Sequence, residues 1–391
     1  MAAFNPVPLM HICLVNSFFP PWRGGAETYT YNLARHLVAR GHGVKVFCAA
    51  PPRRPGEYSV DGVSVNRLPV AAWIYGTPIT LDLPLALMKV DADLLHVGFP
   101  SPYNAFHVSL VSKLRGIPSV LTWHNDLPAV SLTASLLVRL HDSFVLPTYI
   151  GRYRSIISTT GTYARESPIL ARWSSRVRIV PNGVDSRRFN PEVDGKPVRT
   201  KLALDDRSII LFIGALTRWH SYKGLDILLK AFSLLVKAFS DVALLVVGDG
   251  ELRTRYEKMA VDLGIRDDVF FLGDVEDRHL PAFCAASDFL VLPSKDRSEG
   301  FGLTILEENA CGKPAIGSKV GGIPAVISHG HNGLLVPPCD PLKLCEAMRY
   351  LLENVEERLR MGLNARRFAE ERDWSIVARE TEKIYEAVLA K

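Results

Sequence analysis

Two glutamates and a glycine-rich turn stand close together in residues 293–312, PSKDRSEGFGLTILEENACG. A helix is predicted directly after the turn, so its N-terminal amide groups and its dipole favour an anion there. Gly300 and Gly302 carry no side chain, which lets backbone N–H groups approach such a ligand closely. Glu307 lies one turn into this helix and can face the same side as Glu299. The pattern therefore predicts a site for a ligand with hydroxyl groups on either side of a phosphate.

Gly24 and Gly25 precede another predicted helix, directly after the first apolar run of the chain. They provide a further place where backbone N–H groups can approach phosphate.

Short apolar runs alternate with helical patterns along the whole chain, which predicts parallel βαβ units. In the first half the predicted strands are 11–16, 44–49, 93–97, 119–123, 155–158 and 177–180, with a helix over 27–40. In the second half the predicted strands are 208–213, 242–247, 269–272, 289–292, 314–316 and 334–336. A polar stretch that contains Pro and Gly, 190–200, is predicted to link the two halves.

The predicted fold class is α/β, with two Rossmann-like doubly wound domains that face each other across a cleft. We expect domains over 1–190 and 201–375, and a final helix over 376–391 that packs back towards the first domain. Ligands of open α/β sheets bind beyond the carboxyl ends of the strands. The cleft between the domains is therefore the expected active site.

The composition, 48% apolar and 22% charged, is that of an ordinary globular protein. The cysteines lack CxxC spacing, which predicts free thiols in a reducing compartment and no structural zinc. We interpret the Asp-x-Asp of Asp91 and Asp93 as a turn before a buried strand, so no metal site is expected. The N-terminal residues do not resemble a secretory signal, and no apolar run is long enough to cross a bilayer. We therefore expect a cytoplasmic protein, and no aromatic pattern indicates nucleic acid as a partner.

Positive charge is concentrated between residues 151 and 180, where Glu166 is the single acid. The arginines of this segment are Arg152, Arg154, Arg165, Arg172, Arg176 and Arg178. Such a cluster fits a solvated surface, and it also fits a peripheral contact with an anionic membrane or a phosphate-bearing acceptor. Residues 136–146 include apolar side chains at helical spacing, for which we expect packing in the core rather than membrane insertion.

Taken in order, the motifs of the chain resemble those of glycosyltransferase family 4, whose members have the two-domain GT-B fold. The E-x7-E signature of the family corresponds to Glu299 and Glu307. The other matching segments are Gly24-Gly25-Ala26-Glu27, Thr122-Trp123-His124-Asn125, Pro181-Asn182-Gly183-Val184-Asp185, Lys223-Gly224, Gly248-Asp249-Gly250 and Gly321-Gly322-Ile323-Pro324. Because these segments extend over nearly the whole chain, the resemblance does not depend on two spaced glutamates alone.

The resemblance implies a retaining transferase that moves a hexose from GDP-mannose or a UDP-hexose to a hydroxyl of a glycan or lipid-linked acceptor. It implies no cofactor and no metal. In the second domain, Glu307 would bind the ribose, Glu299 the donor sugar, and Lys223 with an arginine the diphosphate. In the first domain, Gly25 would close onto the diphosphate and His124 would touch the donor sugar. The other implied substrate-binding residues are Gly24, Glu276, Gly300, Phe301, Gly302, Leu303 and Thr304.

Two positions depart from the pattern of the family. Gly214 is followed by Ala215 where an arginine is common, so we assign the diphosphate role to Arg218, with His220 as the alternative. Ala325 stands where the Gly-Gly-x-Pro segment usually continues with Glu. A nucleotide-sugar isomerase or hydrolase, or a non-catalytic nucleotide-sugar-binding protein, would fit the same scaffold. The presence of both glutamates, the lysine and the histidine favours a catalytic protein.

Overall fold

The computed structural model describes residues 9–22, 24–74, 76–127 and 132–390. The chain divides into two compact units, the first formed by Met1–Asn182 together with Trp374–Lys391 and the second by Gly183–Asp373. Each unit has its own parallel sheet and its own apolar core. Residues 183–190, which the sequence analysis assigned to the first domain, belong to the second unit, whereas residues 374 and 375 belong to the first.

The first unit is built on one large sheet and a small hairpin. Its strands are β1 (His11–Val15), β2 (Gly43–Ala49), β3 (Gly56–Val60), β4 (Val63–Leu68), β5 (Ala72–Ile74), β6 (Thr77–Ile79), β7 (Leu94–Phe99), β8 (Ser119–Trp123), β9 (Ser155–Ser158) and β10 (Val177–Ile179). The eight-stranded sheet has the order β10-β9-β8-β7-β1-β2-β4-β3, and β3 pairs antiparallel with β4. β5 and β6 form the separate hairpin.

The first unit also contains α-helices along the described part of the chain. They are α1 (Gly25–Ala39), α2 (Leu83–Lys89), α3 (Pro102–Arg115), α4 (Leu132–Leu140), α5 (Leu146–Ile150), α6 (Gly161–Glu166) and the C-terminal helix, which is α14 (Trp374–Leu389). A π-helical turn, His141–Val145, joins α4 to α5. The predicted helix over 27–40 thus corresponds to α1, which begins earlier, at Gly25.

The second unit contains a fully parallel, doubly wound sheet. Its strands are β11 (Ser208–Ile213), β12 (Val242–Val247), β13 (Val269–Gly273), β14 (Phe289–Leu292), β15 (Ala315–Ser318) and β16 (Gly333–Val336). Their order is β13-β12-β11-β14-β15-β16, so the direction of winding reverses beside β11. The helices are α7 (Lys196–Lys201), α8 (Leu225–Leu235), α9 (Arg253–Asp262), α10 (Leu280–Ala286), α11 (Leu303–Ala310), α12 (Pro341–Glu353) and α13 (Val355–Glu370).

Residues 190–200 are part of the second unit and are not the linker that the sequence analysis predicted. A β-carbon on Gly195 would lie 2.3 Å from the backbone nitrogen of Ala286, so this segment packs directly on the end of α10. Just before it, the guanidinium of Arg366 donates to the carbonyl oxygens of Ser186 and Phe189. The polar composition of the segment therefore reflects a surface position rather than a flexible connection.

α14 is held to the first unit through buried polar contacts. The Glu382 carboxylate accepts hydrogen bonds from Arg40 and lies 2.6 Å from Nε2 of His42. One turn further along, the Tyr385 hydroxyl lies 2.5 Å from Nδ1 of His96 on β7. The end of the chain is thus an integral part of the first unit.

Candidate active site

The glycine-rich turn between β14 and α11 is held in place by a second pair of glycines. Gly302, at φ +92°, is the residue before α11 and adopts a conformation that favours glycine. Gly322 donates its N–H to the carbonyl of Glu299 at 2.9 Å, and a β-carbon on Gly322 would lie 2.1 Å from the carbonyl oxygen of Gly300. A β-carbon on Gly321 would lie 2.2 Å from the same Glu299 oxygen. The Gly-Gly-x-Pro segment therefore fixes the backbone that carries Glu299.

Lys223 reaches Glu299 from the loop after β11. Gly224, at φ +78°, packs on the end of β14, since a β-carbon there would lie 2.0 Å from the carbonyl oxygen of Pro293. A β-carbon on Gly214 would lie 2.7 Å from Cδ of Lys223, so glycine leaves room for the lysine side chain. The Lys223 Nζ lies 2.9 Å from Oε2 of Glu299, and these side chains are 15% and 8% exposed. The two residues form a largely buried ion pair.

The charge state of Lys223 follows from its neighbours. Burial by itself would lower the pKa of the ammonium, but the charges of Glu299, Tyr222 and Glu307 raise the pKa above its usual value. Lys223 is therefore a cation at neutral pH. The hydroxyl of Ser294 donates to the Glu299 oxygen that also binds the lysine, at 3.3 Å.

Glu307, on α11, lies in the same electrostatic environment. Burial raises the pKa of this carboxyl to about 7, while the charges of Arg188 and Lys223 lower it and that of Asp277 raises it. Arg188 is itself bound to Asp277, with Nη2 3.1 Å from Oδ1. Lys223, Glu299 and Glu307, here called the charged cluster, are thus brought together within the second unit. Arg188 was not predicted from the sequence as a site residue. Its position just after the Pro-Asn-Gly-Val-Asp motif could have indicated it.

The other residues predicted around the turn lie at the start of α11. Phe301 is buried, and Leu303 and Thr304 are half-buried. The hydroxyl oxygen of Thr304 is enclosed and has no hydrogen-bond partner among the residues that the structure describes. A buried hydroxyl usually has a partner, so this one is available for a ligand.

The two candidates for the diphosphate role, Arg218 and His220, lie on the loop after β11. Arg218 is exposed, and its backbone N–H donates to the Glu251 carboxylate at 2.7 Å. His220 lies where the charges of Lys223 and Glu299 both act on it. Burial lowers the pKa of His220 to about 4, so the imidazole is neutral at pH 7. The charge of Glu251 acts on His220 as well, so both residues lie near Glu251, and the assignment of the diphosphate role stays a prediction.

Glu276 is exposed on the loop after β13. Its carboxylate lies 2.8 Å from Nε of Arg278, a surface ion pair between side chains that are 60% and 73% exposed. The backbone carbonyl of Glu276 accepts a hydrogen bond from His279 at 2.8 Å and shapes the turn into α10. The structure thus places the Glu276 side chain in a surface pair with Arg278.

His124 follows β8 in the first unit and is 8% exposed. Burial lowers the pKa of its imidazole to about 4, which leaves the ring neutral at pH 7. Its Nε2 is enclosed and has no hydrogen-bond partner in the described parts of the chain. The ring packs edge-on against Tyr29, with centroids 4.8 Å apart. A neutral imidazole with an unused nitrogen can bind a hydroxyl group of a ligand.

A chain of buried polar groups stands behind His124. The Tyr29 hydroxyl lies 3.3 Å from the Thr122 hydroxyl, which lies 2.7 Å from Nε2 of His96. His96 in turn contacts Tyr385 on α14. The sequence analysis missed Tyr29, which carries no motif of its own.

Gly24 and Gly25 begin α1, which is held against the end of β1. Nδ2 of Asn16 donates to the carbonyl of Ala26 at 3.2 Å and thereby joins the strand to the helix. The Glu27 carboxylate lies over Gly24, because a β-carbon on Gly24 would be 2.3 Å from Oε2 of Glu27. Burial raises the pKa of Glu27, and its own backbone N–H lowers it.

The described residues also bear on metal binding and membrane spanning. No three or more His, Cys, Asp or Glu side chains in this part of the chain are grouped so that they could hold a metal ion. None of the helices in the described ranges combines the length and apolar character needed to cross a membrane.

The chain matches two known families. Residues 23–188 match the family described as Glycosyltransferase Family 4, and residues 196–368 match the family described as Glycosyl transferases group 1. The D-rhamnosyltransferase WbpZ of Pseudomonas aeruginosa is 30% identical over 347 residues, which cover 88% of this chain and 86% of that protein. A GDP-mannose-dependent alpha-(1-6)-phosphatidylinositol monomannoside mannosyltransferase of Mycobacterium tuberculosis is 26% identical and covers 92% of this chain and 93% of its own length.

Solved structures show the same fold. Sucrose-phosphate synthase of Thermosynechococcus elongatus superimposes with a TM-score of 0.78 at 24% identity, over 97% of this chain and 99% of that one. HepE of Anabaena, in complex with UDP-glucose, gives a TM-score of 0.77 at 19% identity, over 97% and 100% of the two chains. The fold, the motifs and the family matches together show that the chain is a glycosyltransferase of the GT-B fold and belongs to glycosyltransferase family 4.

Proposed function

We propose that this protein transfers a hexose from a nucleoside diphosphate sugar to a hydroxyl group of a glycan or lipid-linked acceptor. We further propose that the reaction retains the anomeric configuration and needs no metal ion. The observation that carries the proposal is the charged cluster, in which the Lys223 ammonium lies 2.9 Å from Glu299. This cluster lies beside the start of α11, a helix N-terminus that favours an anion.

The two ends of the donor would meet different partners. Glu307 would accept hydrogen bonds from the ribose hydroxyls, and Glu299 from the hydroxyls of the donor sugar. Backbone N–H groups at Gly300 to Leu303 would bind the phosphates and the sugar. The unpartnered hydroxyl of Thr304 supports this arrangement, because it can donate to a phosphate oxygen.

Cleavage of the donor breaks the bond between the anomeric carbon and the phosphate oxygen and leaves negative charge on the nucleoside diphosphate. A preorganised cation beside that oxygen stabilises the charge as it develops. Lys223 would supply this cation, and His220 or Arg218 would contact the same diphosphate. A fixed ammonium together with a helix N-terminus supplies the positive charge that a divalent metal supplies in other enzymes, which supports a metal-independent reaction.

Retention requires the acceptor hydroxyl to attack from the face that the diphosphate leaves. The acceptor proton would pass to the departing phosphate oxygen as the new glycosidic bond forms. Glu299 accepts hydrogen bonds from Lys223 and Ser294, so its carboxylate is engaged rather than free to attack the anomeric carbon. This supports a short-lived oxocarbenium-like species rather than a covalent sugar–enzyme intermediate.

We assign His124, Gly24 and Gly25 to the same reaction because the family's motifs carry a histidine and a glycine pair at these positions. The unused Nε2 of His124 supports a hydrogen bond to a hydroxyl of the donor sugar. Gly24 and Gly25 would offer backbone N–H groups to the diphosphate.

The names of two similar proteins indicate which donors should be tested first. One relative is named as GDP-mannose-dependent, and one similar structure was solved with UDP-glucose. The purified protein should therefore be incubated with GDP-mannose and UDP-glucose, with and without glycan and lipid-linked acceptors, in buffer containing EDTA. We expect acceptor-dependent release of nucleoside diphosphate, and a product whose anomeric configuration, read by NMR, matches the donor.

Each other outcome contradicts a defined part of the proposal. An inverted product would defeat the retaining mechanism, and activity that EDTA abolishes and magnesium restores would defeat metal independence. Release of nucleoside diphosphate at the same rate without acceptor would favour a hydrolase. Donor binding without turnover of any acceptor would favour a non-catalytic binding protein.

We also propose that the first unit contacts the cytoplasmic face of an anionic membrane. The α4 segment and the following π-helical turn expose large apolar side chains, which the sequence analysis expected to pack in the core. Their exposed fractions are 59% for Leu136, 50% for Leu137, 45% for Leu140, 71% for Phe144 and 45% for Val145. An apolar patch of this kind marks an interaction surface. Exposed arginines of the same unit, Arg154, Arg165, Arg172 and Arg178, complement an anionic lipid surface.

Cosedimentation with phosphatidylglycerol-containing and pure phosphatidylcholine vesicles tests this contact. We expect binding to the anionic vesicles and a clear loss of binding in Phe144→Asp and Leu137→Asp. Leu363→Asp, which changes a leucine that is 66% exposed in the second unit, is the matched control and should bind like the wild type. Equal binding by all variants, or none by the wild type, would overturn the membrane contact.

A further inference from the structure

Tyr29, on α1, lies between two other aromatic rings of the first unit. Its ring meets that of His124 edge-on, with centroids 4.8 Å apart and an interplanar angle of 75°. It also meets the indole of Trp374, the first residue of α14, at 5.8 Å and 72°. Edge-to-face pairs of this kind are favourable, and Tyr29 is only 2% exposed. The ring that packs on His124 is therefore itself held by α14.

The hydroxyl of Tyr29 is tied to the same helix. Burial raises the pKa of Tyr29 to about 12, and its side-chain hydrogen bonds with Thr122 and Thr381 act in the opposite direction. The hydroxyl of Thr381, on α14, donates to the carbonyl of Val377 at 2.8 Å. A hydroxyl has one proton and a carbonyl oxygen has none, so Thr381 can only accept in its bond with Tyr29. Tyr29 therefore donates to Thr381 and accepts from Thr122.

The direction of these bonds determines which nitrogen of His96 carries the proton. The Thr122 hydroxyl gives its proton to Tyr29, so its oxygen accepts from Nε2 of His96, 2.7 Å away. Burial and the charge of His124 lower the pKa of His96 to about 3, so the ring is neutral at pH 7 and carries one proton. That proton is on Nε2, and Nδ1 accepts from the hydroxyl of Tyr385 at 2.5 Å. The chain of hydrogen bonds thus begins and ends on α14.

His124 carries the nitrogen that we assign to the donor sugar, and packing holds its ring. Its backbone N–H donates to the carbonyl of Phe99 at 3.1 Å, which fixes the main chain but not the imidazole. Nε2 has no hydrogen-bond partner within the described ranges. A β-carbon on Gly98 would lie 3.5 Å from Nε2, so the absence of a side chain there leaves the nitrogen room to move. The contact with Tyr29 therefore restrains the ring that would present Nε2 to a ligand.

We propose that Tyr29 is a positioning residue for His124 and that α14 holds Tyr29 in place. This inference rests on the proposed function, in which Nε2 of His124 binds a hydroxyl of the donor sugar. A displacement of about 1 Å in a group that contacts substrate can cost about 100-fold in rate. The alternative is that Tyr29 serves only the stability of the first unit, and the two roles predict different kinetics.

Two substitutions separate the ring of Tyr29 from its hydroxyl. Tyr29→Phe keeps the edge-on contact and breaks the chain of hydrogen bonds, whereas Tyr29→Leu removes the ring. With the donor that proves active, we expect Tyr29→Leu to lower kcat at least about tenfold and Tyr29→Phe to lower it less. The matched control is Tyr153→Phe, which removes a buried hydroxyl that donates to the carbonyl of Ala105 at 2.5 Å in the same unit. The control should lose stability and keep the wild-type kcat, and an equal kcat in Tyr29→Leu would overturn the proposal.

A double-mutant cycle with His124→Ala shows whether Tyr29 acts through His124. Once the imidazole is absent, loss of the Tyr29 ring should have no further effect on kcat, because both substitutions then remove the same function. A tyrosine that only stabilises the unit would lower kcat by the same factor with and without His124. Equal factors in the two backgrounds would therefore reject the positioning role.

Two measurements on the intact chain need no substrate. Crystal structures of the wild type and of Tyr29→Leu compare the orientation of the His124 ring, which we expect to turn or to occupy two conformers in the variant. A single, unchanged orientation would contradict the proposal. Nitrogen-15 NMR of labelled histidine identifies the protonated nitrogen of His96, with His96→Gln for assignment. We expect the proton on Nε2, and a proton on Nδ1 would refute the order of hydrogen bonds that links Tyr29 to α14.

These measurements separate failure of the positioning role from failure of the proposed function. Sugar transfer by the wild type, with kcat and ring orientation unchanged in Tyr29→Leu, would keep the function and reject the positioning role. A wild type without turnover would reject the function. A displaced His124 ring in Tyr29→Leu would then still show that Tyr29 holds that ring.

Discussion

Lys223 is the residue on which the charge balance of the donor site depends. It is the cation that the structure places against Glu299, and the anions around it keep it protonated. Gly214 and Gly224 leave the space that its side chain and loop occupy. Its role in catalysis is the first point that mutation can test.

We predict that Lys223→Ala lowers kcat about 10²- to 10³-fold, the range found when one preorganised charge-stabilising group is removed. The matched control is Lys230→Ala, which removes an exposed lysine of α8 in the same unit. Steady-state kinetics with the donor that proves active is the measurement. A Lys223→Ala enzyme with the kcat of the Lys230→Ala control would remove Lys223 from the mechanism.

Glu307 gives the second prediction, which concerns pH. Its pKa is raised from 4.5 to about 7, mainly by burial, so the folded protein holds this proton more tightly than the unfolded chain does. As pH rises from about 4.5 to 7, the contribution of Glu307 therefore reduces stability, and above about 7 the loss stays constant. Glu307→Gln mimics the protonated carboxyl and removes this loss.

The measurement is the melting temperature of wild type and Glu307→Gln between pH 4.5 and 8. We expect the variant to gain stability relative to wild type across this window, with most of the gain complete near pH 7. Burial also raises the pKa of Glu308, to about 8. Because both proteins contain Glu308, its contribution cancels in the difference between the two profiles. A difference that does not change with pH would show that Glu307 has an ordinary pKa.

At the residue scale, the sequence predicted the members of the charged cluster because each belongs to a motif with a physical function. Arg188 and Tyr29 were not predicted. Arg188 lies just outside a motif, and Tyr29 packs on His124 through an aromatic contact that sequence spacing does not reveal. The choice between Arg218 and His220 depended on which way a long loop turns. The charges of Lys223 and Glu299 act on His220, whose ring bonds to Thr217, and Arg218 is exposed.

At the scale of elements, α11 owes its position to the glycine pair after β15. Gly322 has φ −83°, which any residue can adopt, so the need for glycine comes from its contact with the backbone of Gly300 and Phe301. A side chain there must displace the backbone of the turn that carries Glu299. The position of the catalytic turn therefore depends on a residue that itself makes no contact with substrate in our proposal.

We predict that Gly322→Ala reduces kcat at least about tenfold, because small displacements of catalytic groups have large effects on rate. Gly264→Ala is the control, since its φ of +71° brings backbone strain but a β-carbon there would meet nothing within 4 Å. The control should lose some thermal stability and keep its kcat. Equal kcat values for the two variants would show that the contact does not position the turn.

A further prediction concerns the attachment of α14. Glu382, with a side chain that is 3% exposed, binds Arg40 and His42, and its removal leaves His42 buried without its partner. We expect Glu382→Ala to lower the free energy of unfolding by about 3 kcal/mol. Glu380→Ala, which breaks only surface pairs with Lys383 and Arg379 on the same helix, should cost less than about 1 kcal/mol. Chemical denaturation measures both, and similar losses would contradict the buried role of Glu382.

The elements that sequence patterns predicted best are those with apolar runs buried on both faces, such as β11, β12 and β14. β3, β4, β5 and β6 were missed. β3 lies at an edge and β5 and β6 form a short hairpin, and β4, although mostly buried, is interrupted by the polar residues Ser64, Asn66 and Arg67. Without a continuous buried run, these segments produce no pattern that clearly separates a strand from a loop.

At the scale of the whole molecule, alternation of strands and helices was enough to predict two doubly wound units. The division between them was predicted less well, because residues 190–200 have the composition of a linker but belong to the second unit, where Gly195 packs on α10. A polar composition indicates solvent exposure, and both a surface segment and a linker are exposed to solvent. The apolar residues of α4 show the converse, since their helical spacing predicted burial and the structure exposes them.

The central claim is that the charged cluster of the second unit binds the nucleoside diphosphate. A thermal-shift titration with GDP and with UDP tests it most directly, because a ligand that binds only the folded state raises the melting temperature by mass action. We predict a saturable rise with one of the two nucleotides in the wild type and in Lys230→Ala, and a much smaller rise in Lys223→Ala at the same concentration. Equal rises in all three proteins, or no rise in the wild type with either nucleotide, would contradict the claim.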